Sequence, residues 1–359
     1  MKLRKWRWTL LAMLAVMLIV AGCGQSSDSG PGTAGGSDGA SQGSGQQEKT
    51  IMIAYNLPKT HTVGVYFETL AEEIEKRTAN TSIKLKPQTY PDGQLYNDSQ
   101  MPNAVSTGLV EIGGVNVGFL NRGDSDPLQI YEFLFMFDSW EAAWAGLEGT
   151  FGELFKAELE SVNMHTIGFA PYGPGGIFGN FPIRVPEDIK GKKIRSTGTS
   201  TARAIEFMGA SPVVISSQEV YQALENGVVD GFFTGKSSVM DRHFYEVAKY
   251  AFGRDMFFTD FSAVAHKPWW DSLPADVQQA IMEASEVATQ KARELALQRD
   301  LEYRNGLIEK GMVFYDPTEE EIQKWKEAMK PSLEKYLKDT GEKGQKFVDA
   351  INEANAAVK

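Results

Sequence analysis

Residues able to do covalent chemistry are few in this chain, and none falls into a catalytic pattern. Its 359 residues include one cysteine and four histidines, too few for an intramolecular disulfide or a convincing zinc set. Gly173-Pro-Gly175-Gly-Ile-Phe178 opens like a dinucleotide fingerprint. Phe178 stands where the last glycine belongs, and the proline disfavours a tight strand-to-helix turn. No Walker loop, G-x-S-x-G elbow or H-E-x-x-H helix is present. Asp124-Ser-Asp126 runs into Pro127 instead of continuing as a calcium loop, so it reads as a surface loop. Glu72, Glu73 and Glu75 read as the solvated face of a helix. With no nucleophile set beside a base, the side chains point to binding rather than catalysis.

Composition narrows the class further. The chain is 42% hydrophobic and 23% charged, with a formal net charge of −11. Its length suits two domains and a large core, which excludes a disordered or collagen-like chain. The acidic balance argues against a nucleic-acid binder, which needs a basic stripe. A single long apolar run excludes a polytopic membrane protein.

That run lies at the amino terminus. Lys2, Arg4, Lys5 and Arg7 precede twelve apolar residues, Leu10 to Ala21, the shape of a secretory signal and too short for a comfortable span. It ends in Val20-Ala21-Gly22-Cys23, which resembles a bacterial lipobox, so residues 1–22 read as a lipoprotein signal peptide and Cys23 as the lipid anchor. Gly or Ser fill 14 of the 24 positions from Gly24 to Gln47. Residues 23–49 are expected to be a flexible tether with a mean reach of roughly 25–30 Å. Removing residues 1–22 takes four basic and no acidic residues, and moves the net charge from −11 to −15.

The remainder alternates between strand and helix signals. Strands are expected at Thr50–Tyr55, Ile83–Thr89, Glu111–Val117, Met164–Ala170, Ile194–Ser196, Val213–Ile215, Val228–Phe233 and Phe257–Ala265. Helices are expected at about Val63–Thr78, from Asn97 or Asp98 to Gly108, and across Trp140–Leu159. Tyr90-Pro-Asp-Gly93 is a turn signal. Pro274 to Lys310 has no internal proline, and no glycine before Gly306, which predicts one very long helix. Two more helices follow Pro317. The pattern predicts an α/β protein with mainly parallel sheets.

Three segments carry a family resemblance: Pro186-Glu-Asp-Ile-Lys-Gly-Lys-Lys-Ile-Arg195, Gly209-Ala-Ser-Pro212, and Glu219 to Gly231 with its Asn226-Gly-Val-Val-Asp230 ending. With Tyr90-Pro-Asp-Gly-Gln-Leu95 plus Asp98, and the late Trp269-Trp-Asp-Ser-Leu-Pro274, the chain resembles the solute-binding proteins of TRAP transporters over roughly residues 50–335. The resemblance implies a two-lobed, periplasmic-binding-protein-like fold with a cleft between the lobes and a long helix spanning both. Lobe I is placed at residues 50–171 plus about 259–300, and lobe II at 172–258 plus about 301–359. Ligand is expected at the carboxyl ends of the strands.

In that family an arginine at the position of Arg195 grips the ligand carboxylate, and a guanidinium fork fits two carboxylate oxygens. A local pairing with Glu206 is the plainer reading of such an arginine. The resemblance also places Asn56, Asp98, Asn116, Ser217 and Thr234 at the ligand. Each has a local alternative: Asp98 as a helix cap, Asn56 and Asn116 as turn residues, Ser217 and Thr234 as strand or cap hydroxyls. Tyr172, Phe178, Phe232 and Phe233 are aromatic candidates for the lining that could equally be core. Trp269 and Trp270 read as packing residues. Many members carry a second arginine where this chain has Gly175, and Arg184 is out of register with it. That departure shifts the expected ligand from a dicarboxylate toward a sugar acid or other monocarboxylate.

The implied function is an extracytoplasmic receptor that binds a carboxylate-bearing anion and delivers it to integral-membrane TRAP subunits. No cofactor, metal or nucleic acid is implied. A ligand receptor for a membrane sensor kinase, and a lipid-anchored hydrolase, are the alternative readings.

Overall fold

The computed structural model describes residues 46–358; the expected signal segment, Cys23 and the tether up to residue 45 lie outside the described residues. Among the described residues the strands are β1 Gln47–Ala54, β2 Ile83–Tyr90, β3 Ile112–Val115, β4 Met164–Gly179, β5 Lys193–Ser196, β6 Ser211–Val214, β7 Gly231–Gly235, β8 Tyr250–Phe252, β9 Phe257–His266 and β10 Val313–Tyr315. The helices are α1 Thr62–Arg77, α2 Met101–Ser106, α3 Trp140–Glu148, α4 Thr150–Glu160, α5 Thr199–Phe207, α6 Val220–Glu225, α7 Lys236–Asp241, α8 Lys267–Asp271, α9 Ala275–Glu309 and α10 Glu319–Ala357.

Two long strands, β4 and β9, organise the sheet. Its order is β2-β1-β3-β9-β4-β7-β5-β6, with β8 joining β4 to β10. The start of β4 and the end of β9 lie with the β1–β3 group, and the end of β4 pairs with β7. One half of the sheet therefore hands over to the other through the same two strands. The outer pairs β1–β2, β1–β3, β5–β6 and β5–β7 are parallel, as alternating strands and helices demand. The central pairs β3–β9, β9–β4 and β4–β7 are antiparallel. The sheet is thus mixed, a correction to the mainly parallel expectation.

Local patterns explain most elements. In α1, Tyr66, Phe67, Leu70 and Ile74 are buried at helical spacing, and His61 Nδ1 accepts from the Val63 amide at 3.1 Å to cap it. The long helix α9 spans 35 residues. Ala280, Ala284, Ala288, Ala292 and Ala296 recur every fourth position along it and are all buried. A stripe of methyl groups lets its backbone lie close over α1 and β4. Gly168 of β4 is part of that fit, because a Cβ there would meet Ser285 Oγ at 2.2 Å and Tyr66 Oη at 2.4 Å.

Several elements differ from expectation, β1 among them, since it begins at Gln47 inside the expected tether. The helix read across Trp140–Leu159 is two helices, because Gly149 is extended (φ −105°, ψ −152°) and ends α3. The strand expected to stop at Ala170 continues to Gly179 through Pro171, Gly173 and Pro174, with a register shift between Pro171 and Gly173. Strands β8 and β10 were not anticipated; three-residue strands carry too little pattern to be seen. The segment after Pro317 does form two helical pieces, broken at Gly341 with φ +60°.

Candidate functional site

Arg195 is the third residue of β5, where strand alternation buries Ile194 in the core and turns the arginine to the opposite face. The guanidinium is only 2% exposed. Its Nε donates to the Ile215 carbonyl at 3.1 Å and its Nη1 to the Phe233 carbonyl at 2.9 Å. Nη2 faces Asp98 Oδ2 at 3.9 Å, beyond hydrogen-bond reach. Burial pulls the guanidinium pKa below its ordinary value, while Asp98, Tyr172 and Glu132 oppose that shift. The backbone thus fixes the plane of the fork and leaves one nitrogen facing a cavity. Glu206, the local partner considered above, is exposed and makes no such pair.

That cavity gathers side chains from both halves of the sheet. Asn56 follows β1, Asp98 follows the turn after β2, and Asn116 follows β3; all three line it. Ser217 after β6, Thr234 in β7 and Tyr172 in β4 face them from the other side. This is the crevice at strand carboxyl ends where α/β sheets bind ligands. The turn that delivers Asp98 needs left-handed backbone at Asp92 (φ +56°) and Gly93 (φ +69°).

The cleft is shut by hydrogen bonds across it. Asp98 Oδ2 accepts from the Ser217 amide at 3.0 Å, and Asn56 Nδ2 donates to Ser217 Oγ at 3.4 Å. Arg242 Nη2 donates to the Asn56 carbonyl. Asp98 does not cap a helix: α2 begins at Met101 with Gln100 as its cap, which excludes the local alternative. Asn116 holds both roles, accepting from the Gly118 amide at 2.8 Å while lining the cavity. Thr234 Oγ1 lies 2.8 Å from Tyr172 Oη, which also accepts from the Gly235 amide and donates to Ser238 Oγ. Tyr172 is therefore locked as part of the wall.

Phe233 does not reach the cavity. Its ring is fully buried in the core, and its contribution is the carbonyl that holds Arg195. Phe178 and Phe232 stack at 5.6 Å in a separate core cluster, and Trp270 packs on His165 at 4.3 Å. Gly175 lies in β4 beside β9, and a Cβ there would meet the Phe257 ring at 2.1 Å. Phe257 itself lines the cavity, so this part of the wall is aromatic. Arg184 is exposed and stacks on Tyr315 at 4.8 Å.

Sequence reasoning missed Glu132. It ends the 3₁₀ segment Pro127–Glu132, and its Oε2 accepts from Thr197 Oγ1 at 2.7 Å across the cleft. Burial raises its pKa from the ordinary 4.5 to about 7, against the opposing effects of Thr197 and Arg195. The available signal was a lone glutamate inside the apolar stretch Leu128–Phe137. Between about pH 4.5 and 7 the folded chain keeps a proton that the unfolded chain has released. Stability attributable to this group therefore falls as pH rises through that window, by on the order of 3 kcal/mol. Glu132→Gln cannot titrate. Unfolding of both proteins at low and high pH should show the variant gaining on the parent as pH rises; an unchanged gap would contradict this reading.

Among the described residues no cluster suits a metal ion. A wider groove of about 1030 Å³ lies by Trp140, Phe258 and Leu297. Its two lining cations, Arg254 and Lys326, are both exposed, so it offers no buried cation comparable to Arg195.

The chain has relatives among known proteins over most of its length. Residues 53–339 match the family profile described as bacterial extracellular solute-binding protein, family 7. The C4-dicarboxylate-binding periplasmic protein DctP of Rhodobacter capsulatus is 26% identical over 262 residues, 72% of this chain and 78% of that protein. A TRAP periplasmic solute-binding protein from Sulfitobacter sp. NAS-14.1, solved with β-D-galacturonate, superposes with a TM-score of 0.79 at 22% identity, covering 85% of this chain and 100% of that one. The Bordetella pertussis extracytoplasmic solute receptor DctP6, which binds pyroglutamic acid, gives 0.78 at 24% identity and covers 85% and 100%. The two-lobed, periplasmic-binding-protein-like fold expected from sequence is the fold these structures share with this chain.

Proposed function

The chain belongs to bacterial extracellular solute-binding protein family 7, and from that premise we propose that it captures a carboxylate-bearing organic anion in the cleft at Arg195 and passes it to integral-membrane TRAP subunits. One observation carries the reading: a backbone-clamped guanidinium, fully buried, with Nη2 facing a cavity that side chains from both sheet halves enclose. A carboxylate is the ligand group that a buried guanidinium fork fits best. Asn56, Asp98, Asn116, Ser217, Thr234 and Tyr172 form the rest of the site. Residues 50–171 plus about 259–300 form one lobe and 172–258 plus about 301–359 the other, with β4, β9 and α9 running between them.

Small organic acids should raise the melting temperature of the purified protein, because a ligand bound only to the folded state stabilises it by mass action. The matching amides and alcohols should not. Equal stabilisation by the neutral compounds would count against a carboxylate site.

The receptor works outside the cytoplasm, and we place it on the membrane through acylated Cys23. An acyl chain gains about 0.8 kcal/mol per buried CH₂, and more than one chain gives stable anchoring. Cys23→Ser should move the protein from the membrane fraction to the soluble fraction with ligand affinity unchanged, since the tether separates anchor from cleft. A variant that stays on the membrane with the acyl mass of the parent would refute the anchor.

A further inference from the structure

Resting on the receptor reading above, we propose that the cleft selects a monocarboxylate whose other polar groups donate hydrogen bonds, hydroxyl or N–H, and turns dicarboxylates away. The argument begins with charge. Among the described residues Arg195 is the one cation in the lining, and Asp98 and Glu132 share the cavity with it. Arg242, which also acts on Arg195 electrostatically, lies outside the lining and donates to the Asn56 carbonyl. His61 is stacked behind Tyr172 and adds no charge, its pKa pushed down to about 3 by burial. Where a second cation could have entered, β4 has Gly175 and the Phe257 ring fills the space. A ligand carboxylate on Arg195 is thus matched, and a second one would sit among carboxyl groups with no counter-charge.

Hydrogen-bonding capacity points the same way. Asp98 and Glu132 are 3% and 4% exposed, and each uses one oxygen across the cleft, to the Ser217 amide and the Thr197 hydroxyl. Their other oxygens, Oδ1 and Oε1, are buried without a partner, as is Asn56 Oδ1. An ionised carboxylate only accepts, so these atoms call for donors. A bound water can meet them in the empty receptor, and a ligand hydroxyl or N–H can replace it. An apolar acid would strip the water and leave them bare. Sites built to hydrogen-bond a ligand reject analogues lacking the donor far more strongly than apolar pockets reject a methylene.

The test compares D-gluconate, D-galacturonate and L-pyroglutamate with succinate and butyrate by calorimetry on the intact protein at about pH 8, above the value to which burial raises Glu132. Native mass spectrometry of the freshly purified protein identifies any acid it retains. At least one donor-bearing monocarboxylate should bind tenfold or more tighter than both succinate and butyrate, a difference of about 1.4 kcal/mol or more. A retained acid should be of the same class. Asp98→Asn and Glu132→Gln should each narrow the gap, weakening the donor-bearing acid while strengthening succinate. Succinate or butyrate binding as tightly as every donor-bearing acid, a retained dicarboxylate, or variants that weaken all ligands alike would overturn the selectivity. Failure of every acid to bind, with none retained, would instead remove the receptor reading itself.

Discussion

Arg195→Ala should weaken binding of the ligand carboxylate by roughly 30-fold to several thousand-fold, since truncating one member of a buried charge pair typically costs about 2–5 kcal/mol. The geometry says why the loss should be large. The guanidinium is dry, and its plane is set by the Ile215 and Phe233 carbonyls at 3.1 and 2.9 Å, so little rearrangement is needed to meet an anion. Alanine also orphans those two carbonyls and leaves Asp98 beside an empty space, so the variant should be less stable as well. Affinity must therefore be measured on protein shown to be folded by circular dichroism. Arg195→Lys keeps the charge but cannot hold both carbonyls and still present a fork, and should restore only part of the affinity. Arg184→Ala, at an exposed residue stacked on Tyr315, should change affinity by less than about threefold. Near-native affinity in a folded Arg195→Ala protein, or a larger loss at Arg184, would unseat the site.

How far sequence reaches depends on whether a residue's partner is local. Motif and chemistry together single out Arg195, which the fold buries at a cavity, whereas its partners cannot be read from the chain. Asp98 had a local explanation as a helix cap, which the start of α2 at Met101 excludes, and its actual partner, the Ser217 amide, lies 119 positions away. Naming both Phe233 and Thr234 as lining residues conflicts with strand geometry, since neighbours on β7 point to opposite faces. Thr234 took the cavity and Phe233 the core. Glu132 was hidden for another reason: it belongs to no motif, and only tertiary structure brings it against Thr197. The strand β4 shows the same limit in the fold. Proline and glycine between Pro171 and Gly176 are breaker signals, yet pairing with β9 on one side and β7 on the other carries the strand through.

Closure itself is open to test at a residue that does not line the cavity. Gly198 precedes α5, and a Cβ built there would lie 2.0 Å from the Gly118 carbonyl oxygen and 2.7 Å from Gly118 Cα, across the cleft from β5. Its backbone is extended, with φ 170° and ψ −168°, so a larger residue adopts it without strain. The obstacle is contact alone, of the new Cβ on backbone, which no rotamer change relieves. Gly198→Ala should therefore burden only the shut conformation. Overpacking costs about 1–3 kcal/mol and occasionally more, and so severe an approach belongs at the upper end. Affinity should fall by roughly 100-fold, mostly through faster release. Small-angle scattering gives the second readout. If β4, β9 and α9 act as a hinge, saturating ligand should shrink the radius of gyration of the parent protein. The variant should shrink less at equal occupancy, because the added methyl holds Gly118 and Gly198 apart. Parent-like affinity and parent-like compaction in Gly198→Ala would mean that the cleft does not need this contact to hold its ligand. A parent protein that never compacts at saturation would remove the clamshell motion altogether.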